Sequence, residues 1–183
     1  MSEDILPDAS TLFQETLPIH PEIVISQLVE LKIPIEKFHH LPLNTVSQSK
    51  KCRDNMLTKN DGGGHIKNLY LRDHKKNNYL VVLQEDRNVD LKKLSLLMQS
   101  GRLSFGSADR LFENLGVRPG AVTPLAMITG VSKGVKFFID SELFEVNKVY
   151  MHPLVNDCTI SMTPSELEYY LEFLGVYVTK LNF

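Results

Sequence analysis

Three short stretches hold the residues whose types could do chemistry. Gly62-Gly63-Gly64 runs into His65-Ile66-Lys67-Asn68, which puts a lysine and an asparagine where a flexible loop becomes a strand. Strand ends beside mobile loops often carry functional side chains. Gly120-Ala121-Val122-Thr123-Pro124 is a turn able to offer backbone N–H and C=O groups to a ligand. His152-Pro153-Leu154-Val155-Asn156 sets an imidazole at the end of a strand. Each stretch has a plainer reading. Lys67 also suits an edge strand that deters aggregation, the turn suits an ordinary connection, and His152 suits a satisfied structural histidine. The residue types alone leave both sets of readings open.

Other catalytic signatures are absent. There is no G-x-S-x-G elbow, no P-loop, no G-x-G-x-x-G after a strand and no H-E-x-x-H. His39 and His40 are adjacent, so on a strand they point to opposite faces and cannot share a metal. Cys158 lies in an apolar strand and reads as a small buried side chain rather than a nucleophile. No Cys, His and carboxylate cluster has metal-ligand spacing, so neither a metal nor another cofactor is expected.

The 183 residues carry a net charge of −2, with 43% hydrophobic and 23% charged residues. That balance describes a globular chain long enough to bury its own core. It argues against coating nucleic acid by bulk electrostatics, but not against meeting one end of a nucleic acid through a local basic surface. Two clusters could supply one: Lys50, Lys51 and Arg53, then Arg72, His74, Lys75 and Lys76. Solvated loops are the alternative reading of both. Cys52 and Cys158 form no disulfide framework, the acidic start Met1 to Asp4 lacks the features of a signal peptide, and no apolar run reaches membrane-spanning length. A cytoplasmic location is the expectation.

The elements that must position these residues follow from pattern. Two short helices are expected in residues 1–34, the better one starting at Pro21, and they should pack on a single domain spanning 1–183. A strand is expected from Ile35 to His40, then a polar loop from Asn44 to Gly64. Lys67 to Arg72 and Tyr79 to Gln84 read as a hairpin. Asp90 and Ser107 can cap helices, and strands are expected at Leu103 to Phe105, Val135 to Ile139, Lys148 to Met151 and Cys158 to Ser161. Thr163, Pro164 and Glu166 form the clearest helix start, and Val176 to Lys180 reads as a closing strand. The fold class is α+β (mixed α/β), a central mixed sheet or partial barrel flanked by helices.

Taken in order, several of these stretches resemble the YbaK/ProX family of tRNA-editing domains. The likeness runs through Lys67-Asn68-Leu69-Tyr70-Leu71-Arg72-Asp73, Leu80 to Leu83, Arg102 to Ser107, Leu115 to Pro124, His152 to Asn156 and the final helix. It is strongest to the free-standing alanyl-tRNA(Pro) deacylase branch, also called prolyl-tRNA synthetase-associated. The resemblance implies that fold, with Lys67 as the essential lysine and Asn68 beside it. It places Gly120, Ala121, Val122, Thr123 and Pro124 in the Gly-x-x-x-Pro loop that shapes the aminoacyl site, with His152 and Asn156 in the His-Pro-Leu segment. His40 to Thr45 looks like a weaker copy of an early family motif and would bring Thr45 to the pocket. One departure stands out: Ile66 replaces the threonine that usually precedes the lysine.

The resemblance further implies a trans-acting hydrolase that removes a wrong amino acid, alanine first among the candidates, from tRNA(Pro). Its partners would be the acceptor end of that aminoacylated tRNA and prolyl-tRNA synthetase, with no DNA or membrane partner. Lys50, Lys51, Arg53, Arg72, Lys75 and Lys76 would then be the tRNA-contacting cations. A cysteinyl-tRNA(Pro) deacylase and a silent tRNA- or synthetase-binding module are the alternatives. The ester is already activated, so the protein has only to orient it, place a water and stabilise the oxyanion, with no protein nucleophile.

Overall fold

A computed structural model describes residues 6–53 and 55–183, so the acidic stretch Met1 to Asp4 lies outside the described residues. A 3₁₀ turn at Thr11–Thr16 precedes helix α1, Pro21–Glu30. Proline at the first helical position costs no hydrogen bond there, and His20 accepts from Glu22 N as the cap. Strand β1 is Glu36–His39. The expected loop from Asn44 to Gly64 is a departure. It contains helix α2, Val46–Lys50, started by a reciprocal capping box between Thr45 and Gln48. The end of the glycine run is also strand rather than loop, because β2 extends over Gly63–Asp73. A Cβ on Gly63 would stand 2.0 Å from Leu57 O, so close approach explains that glycine.

Strand β3, Asn78–Gln84, completes the expected hairpin. Asp73 organises its turn, accepting from Asn77 and from the Tyr79 hydroxyl. Burial pushes the Asp73 pKa up, but those hydrogen bonds prevail and hold it at about 2. Helix α3, Leu91–Leu97, strand β4, Leu103–Phe105, and helix α4, Ala108–Leu115, follow with Asp90 and Ser107 as caps. After a 3₁₀ turn at Pro124–Ala126 come the short α5, Met127–Gly130, and strands β5, Lys136–Asp140, β6, Lys148–Met151, and β7, Cys158–Met162. Helix α6, Pro164–Phe173, has the expected capping box, and β8, Val178–Leu181, ends the sheet.

The sheet order is β1-β7-β6-β2-β3-β5-β8, with β4 also paired to β2. It is open, with β1 and β8 at its two ends. Pairings β2–β6, β3–β5 and β5–β8 are parallel and the rest antiparallel. Alternation along β2, β3 and β5 divides the core between two faces. Tyr70, Leu80, Val82, Phe137 and Ile139 meet α1, α4, α5 and α6, through Leu28, Leu115, Met127 and Tyr170 among others. Leu71, Tyr79, Val81, Leu83 and Phe138 meet Leu94 and Met98 of the α3 segment.

The feature that matters for function is a break in the sheet. The edge of β2 opposite β3 is covered by β6 at Gly63 to His65 and by β4 at Leu71 to Asp73. Between them that edge has no neighbouring strand among the described residues.

Candidate active site

At this break lies a cleft of about 210 Å³ lined by Leu43, Asn44, Thr45, Val46, Ser49, Ile66, Lys67, Asn68, Glu85, Gly120, Val122 and His152. Lys67 and Asn68 are consecutive, so their side chains leave β2 on opposite faces. Both line the cleft because it opens across the uncovered edge. The Lys67 ammonium donates to the Arg87 carbonyl. Arg87 in turn pairs with the fully buried Asp140 and with Glu142. The lysine is thus held by a segment that is itself anchored.

On the other face, Asn68 Nδ2 donates to Val122 O across 2.8 Å. A carbonyl only accepts, so this contact fixes the orientation of the amide. It ties β2 to the Gly120–Pro124 turn, whose members divide by direction. Gly120 and Val122 line the cleft, whereas Ala121, Thr123 and Pro124 are buried beneath it. Thr123 caps the following 3₁₀ turn. The cleft wall at Gly120 is completed by Asn44 and Asn156. Asn156 Nδ2 donates to Leu43 O at 3.2 Å and to Asn44 Oδ1 at 3.0 Å. Asn156 is 1% exposed and supports the wall from behind.

His152 Nδ1 lies 2.8 Å from the Cys158 carbonyl, and so must carry the proton. Burial pushes the His152 pKa below the usual histidine range, leaving a neutral ring whose Nε2 is an acceptor. Burial likewise pushes the Cys158 thiol up to about 11, which makes it a poor nucleophile. Thr45 is at the cleft, but its hydroxyl accepts from Gln48 N as the α2 cap.

The basic clusters divide differently from the sequence expectation. Lys50 pairs with Asp86 at 2.7 Å, and Arg53 makes a two-pronged contact with Glu85 at 2.7 and 2.5 Å. Those charges are spent on fastening the α2 segment to the end of β3. Lys51 has no ion-pair partner among the described residues. Arg72 stands roughly 17 Å along β2 from Lys67, and Lys75 and Lys76 lie beyond it in the hairpin turn. Leu43, Asn44, Val46, Ser49 and Glu85 are cleft residues that the sequence reading missed. The Thr45-to-Gln48 capping box was the available signal for the α2 group; Glu85 had none.

No group of three or more His, Cys, Asp or Glu suited to a metal ion occurs among the described residues. None of the described helices is long and apolar enough to cross a membrane.

Comparison with known proteins identifies the family. The chain is 34% identical over 148 residues to the prolyl-tRNA editing protein ProX of Acetoanaerobium sticklandii, covering 80% of this chain and 87% of that one. It is 39% identical over 119 residues to prolyl-tRNA synthetase associated domain-containing protein 1 of Xenopus laevis, covering 62% and 70%. A solved structure named "putative trans-editing enzyme for prolyl tRNA synthetase" shares the fold with a TM-score of 0.60 at 18% identity, over 89% of this chain and 97% of that one. The model of the aminoacyl-tRNA editing domain matches residues 52–170, which include Lys67, Asn68, the Gly120 turn and His152. This chain belongs to the aminoacyl-tRNA editing domain family.

Proposed function

We propose that the protein is a trans-acting deacylase that hydrolyses mischarged tRNA(Pro), with the alanyl ester as its substrate. The observation that carries this reading is the Gly120 wall. A Cβ on Gly120 would stand 2.8 Å from Asn44 Oδ1 and 3.1 Å from Asn156 Nδ2, so only glycine lets this wall of the cleft close up against those two side chains. A methyl group fits such a site better than a pyrrolidine ring. A synthetase pocket built for proline rejects smaller amino acids by only about 1–3 kcal/mol per missing methylene, which leaves work for a second, smaller sieve. The names of the relatives point to the same tRNA.

In the reaction a water oxygen adds to the ester carbonyl carbon, and the carbonyl electrons move to its oxygen. Collapse expels the ribose 3′ oxygen, which takes up a proton, and free alanine leaves. The two protons of the water end on the alanine carboxyl group, ionised in solution, and on the ribose hydroxyl. Lys67 supplies positive charge beside the ester, and Asn68 holds the turn against it. The acceptor end of the tRNA reaches the cleft past α2, where Lys51 is a cation with no ion-pair partner among the described residues.

Single-turnover hydrolysis of alanyl-, cysteinyl- and prolyl-tRNA(Pro) tests the proposal. Fast loss of alanine with near-background loss of proline is expected. Preferred loss of cysteine would reassign the substrate, and no hydrolysis of any ester would leave only a binding module.

A further inference from the structure

We propose that the main-chain N–H and C=O of Asn68 pair with the aminoacyl group as a single residue of β-ladder, the N–H serving as oxyanion donor and the C=O as acceptor for the α-ammonium. This rests on the deacylase reading of the cleft.

The register supplies the argument. Glu85 N donates to His65 O at 3.0 Å, and Asp73 N to Asn77 O at 3.1 Å. These bonds flank the β2–β3 ladder and fix its odd-numbered β2 residues as the ones bonded to β3. Alternation then turns the N–H and C=O of the even-numbered residues toward the opposite edge. Gly62 O accepts from Asn147 N at 2.8 Å on that edge, and Tyr70 O accepts from Gly106 N at 3.0 Å. Asn68 falls between them, in the stretch that neither β6 nor β4 covers. No strand pairs with Asn68 on that edge, and no loop or turn backbone group bonds its main-chain N–H or C=O among the described residues.

Such a pair is an unused template for an extended strand. Here the Asn68 side chain holds Val122 O while its main-chain pair is left unmatched at the strand edge that the cleft borders. An α-aminoacyl ester is the smallest group with the matching pattern, a carbonyl oxygen and an ammonium on one α-carbon. Opposed to Asn68 at the spacing of a hydrogen-bonded antiparallel pair, about 5.5 Å between α-carbons, it exchanges both bonds. The N–H bond strengthens as the carbonyl becomes an oxyanion. Neither bond senses the side chain, which leaves size discrimination to Gly120.

The test replaces the 67–68 amide by an ester, incorporating the α-hydroxy counterpart of Asn68 and so exchanging its N–H for an oxygen. The control is the same exchange at Tyr70, whose N–H faces the same edge outside the cleft. Both exchanges weaken one carbonyl acceptor of the β2–β3 ladder, at Lys67 and at Leu69 respectively. The expected result is a loss of about 10²–10³-fold in the single-turnover rate at position 68, with little loss at position 70 and matched thermal midpoints. Propionyl-tRNA(Pro), which lacks the amine, should lose about 10–100-fold in kcat/KM with the unaltered protein, after correction for its uncatalysed hydrolysis. Equal rates for the two ester variants, or full activity of the position-68 variant, would overturn the inference while leaving the deacylase reading intact. Absence of any hydrolysis by the unaltered protein would overturn both.

Discussion

Asn156 donates through Nδ2 to Asn44 Oδ1 at 3.0 Å, linking two residues 112 positions apart in the chain. The same nitrogen reaches Leu43 O. The main chain joins them as well, with Leu43 N donating to Asn156 O at 2.9 Å. One buried side chain therefore sets the distance between the α2 approach and the wall at Gly120. Replacing Asn156 by alanine removes the only donor to Asn44 Oδ1 among the described residues and leaves the Leu43 carbonyl short of a bond. A loss of about 1–3 kcal/mol in folding stability is expected, readable as a lower urea midpoint. Because the wall loses its spacer, hydrolysis of alanyl-tRNA(Pro) should fall by more than the stability loss accounts for at a temperature where the variant is fully folded.

The Arg53–Glu85 pair makes a second prediction. Its side chains are 17% and 10% exposed, so the carboxylate is nearly desolvated and depends on its partner. Arg53→Ala should destabilise the protein by about 3–5 kcal/mol, since one buried charge is left without compensation. Arg53→Lys should recover only part of that, because an ammonium cannot reproduce the two-pronged contact. A paired Arg53→Met/Glu85→Met variant should be more stable than Arg53→Ala alone. Chemical denaturation of the three variants checks the order. If Arg53→Ala is as stable as the parent protein, the pair does not hold the α2 segment.

Acid sensitivity should begin near neutrality. His65 is 8% exposed, stacks on Tyr150 with ring centroids 4.7 Å apart, and reaches Leu57 O at 2.8 Å. Burial pushes its pKa below the ordinary value of 6.5, as it does for His152. Below pH 6.5 the unfolded chain takes up protons that the folded protein refuses. Stability is thus fully present above 6.5 and falls as the pH drops toward the folded-state values. Carboxylates act in a separate window, since Asp73, held at about 2, loses its contribution only once the pH falls below the ordinary carboxylate range. Urea midpoints at pH 7.5, 6.5 and 5.5 should decline for the parent protein and decline less for His65→Gln. Identical slopes would mean that His65 is not one of the titrating groups.

Legibility in the sequence followed the range of the interactions involved. The final helix was readable because Thr163, Pro164 and Glu166 are local signals, and the capping box forms as their spacing requires. The hairpin of β2 and β3 was readable from the polar turn His74 to Asn78 between two strand-forming runs. The Thr45-to-Gln48 box was equally local, yet it was hidden by the polar composition around it. Gly63 and Gly64 looked like loop residues because the carbonyl of Leu57, the reason for one of them, lies outside any local pattern. Site residues behaved alike. Lys67, Asn68 and Gly120 stood out by their local setting and received roles through family resemblance, whereas Glu85 reached the cleft only through the register of β3 against β2. The commitment of Lys50 and Arg53 to Asp86 and Glu85 spans more than 30 residues, and no spacing rule announces it.

Gly120 allows the size-gauge reading to be tested directly. Its φ is +96°, a backbone conformation that L side chains rarely adopt, so glycine is needed for conformation as well as for space. Valine there adds a branched β-carbon to a strained backbone and would disturb the whole turn, so alanine is the informative substitution. Gly120→Ala should lower folding stability by about 1–3 kcal/mol from the strained backbone. Its methyl must also push against Asn44 Oδ1 and Asn156 Nδ2 or lean into the cleft. Hydrolysis of alanyl-tRNA(Pro) should then fall by about 10–200-fold, the range that one methylene of space commands. Glycyl-tRNA(Pro), whose aminoacyl group has no methyl, should be hydrolysed by the variant with a much smaller loss. Single-turnover rates for both esters, measured where circular dichroism shows the variant folded, separate a gauge from a general defect. An equal loss on the two esters would mean that Gly120 supports the turn without measuring the side chain.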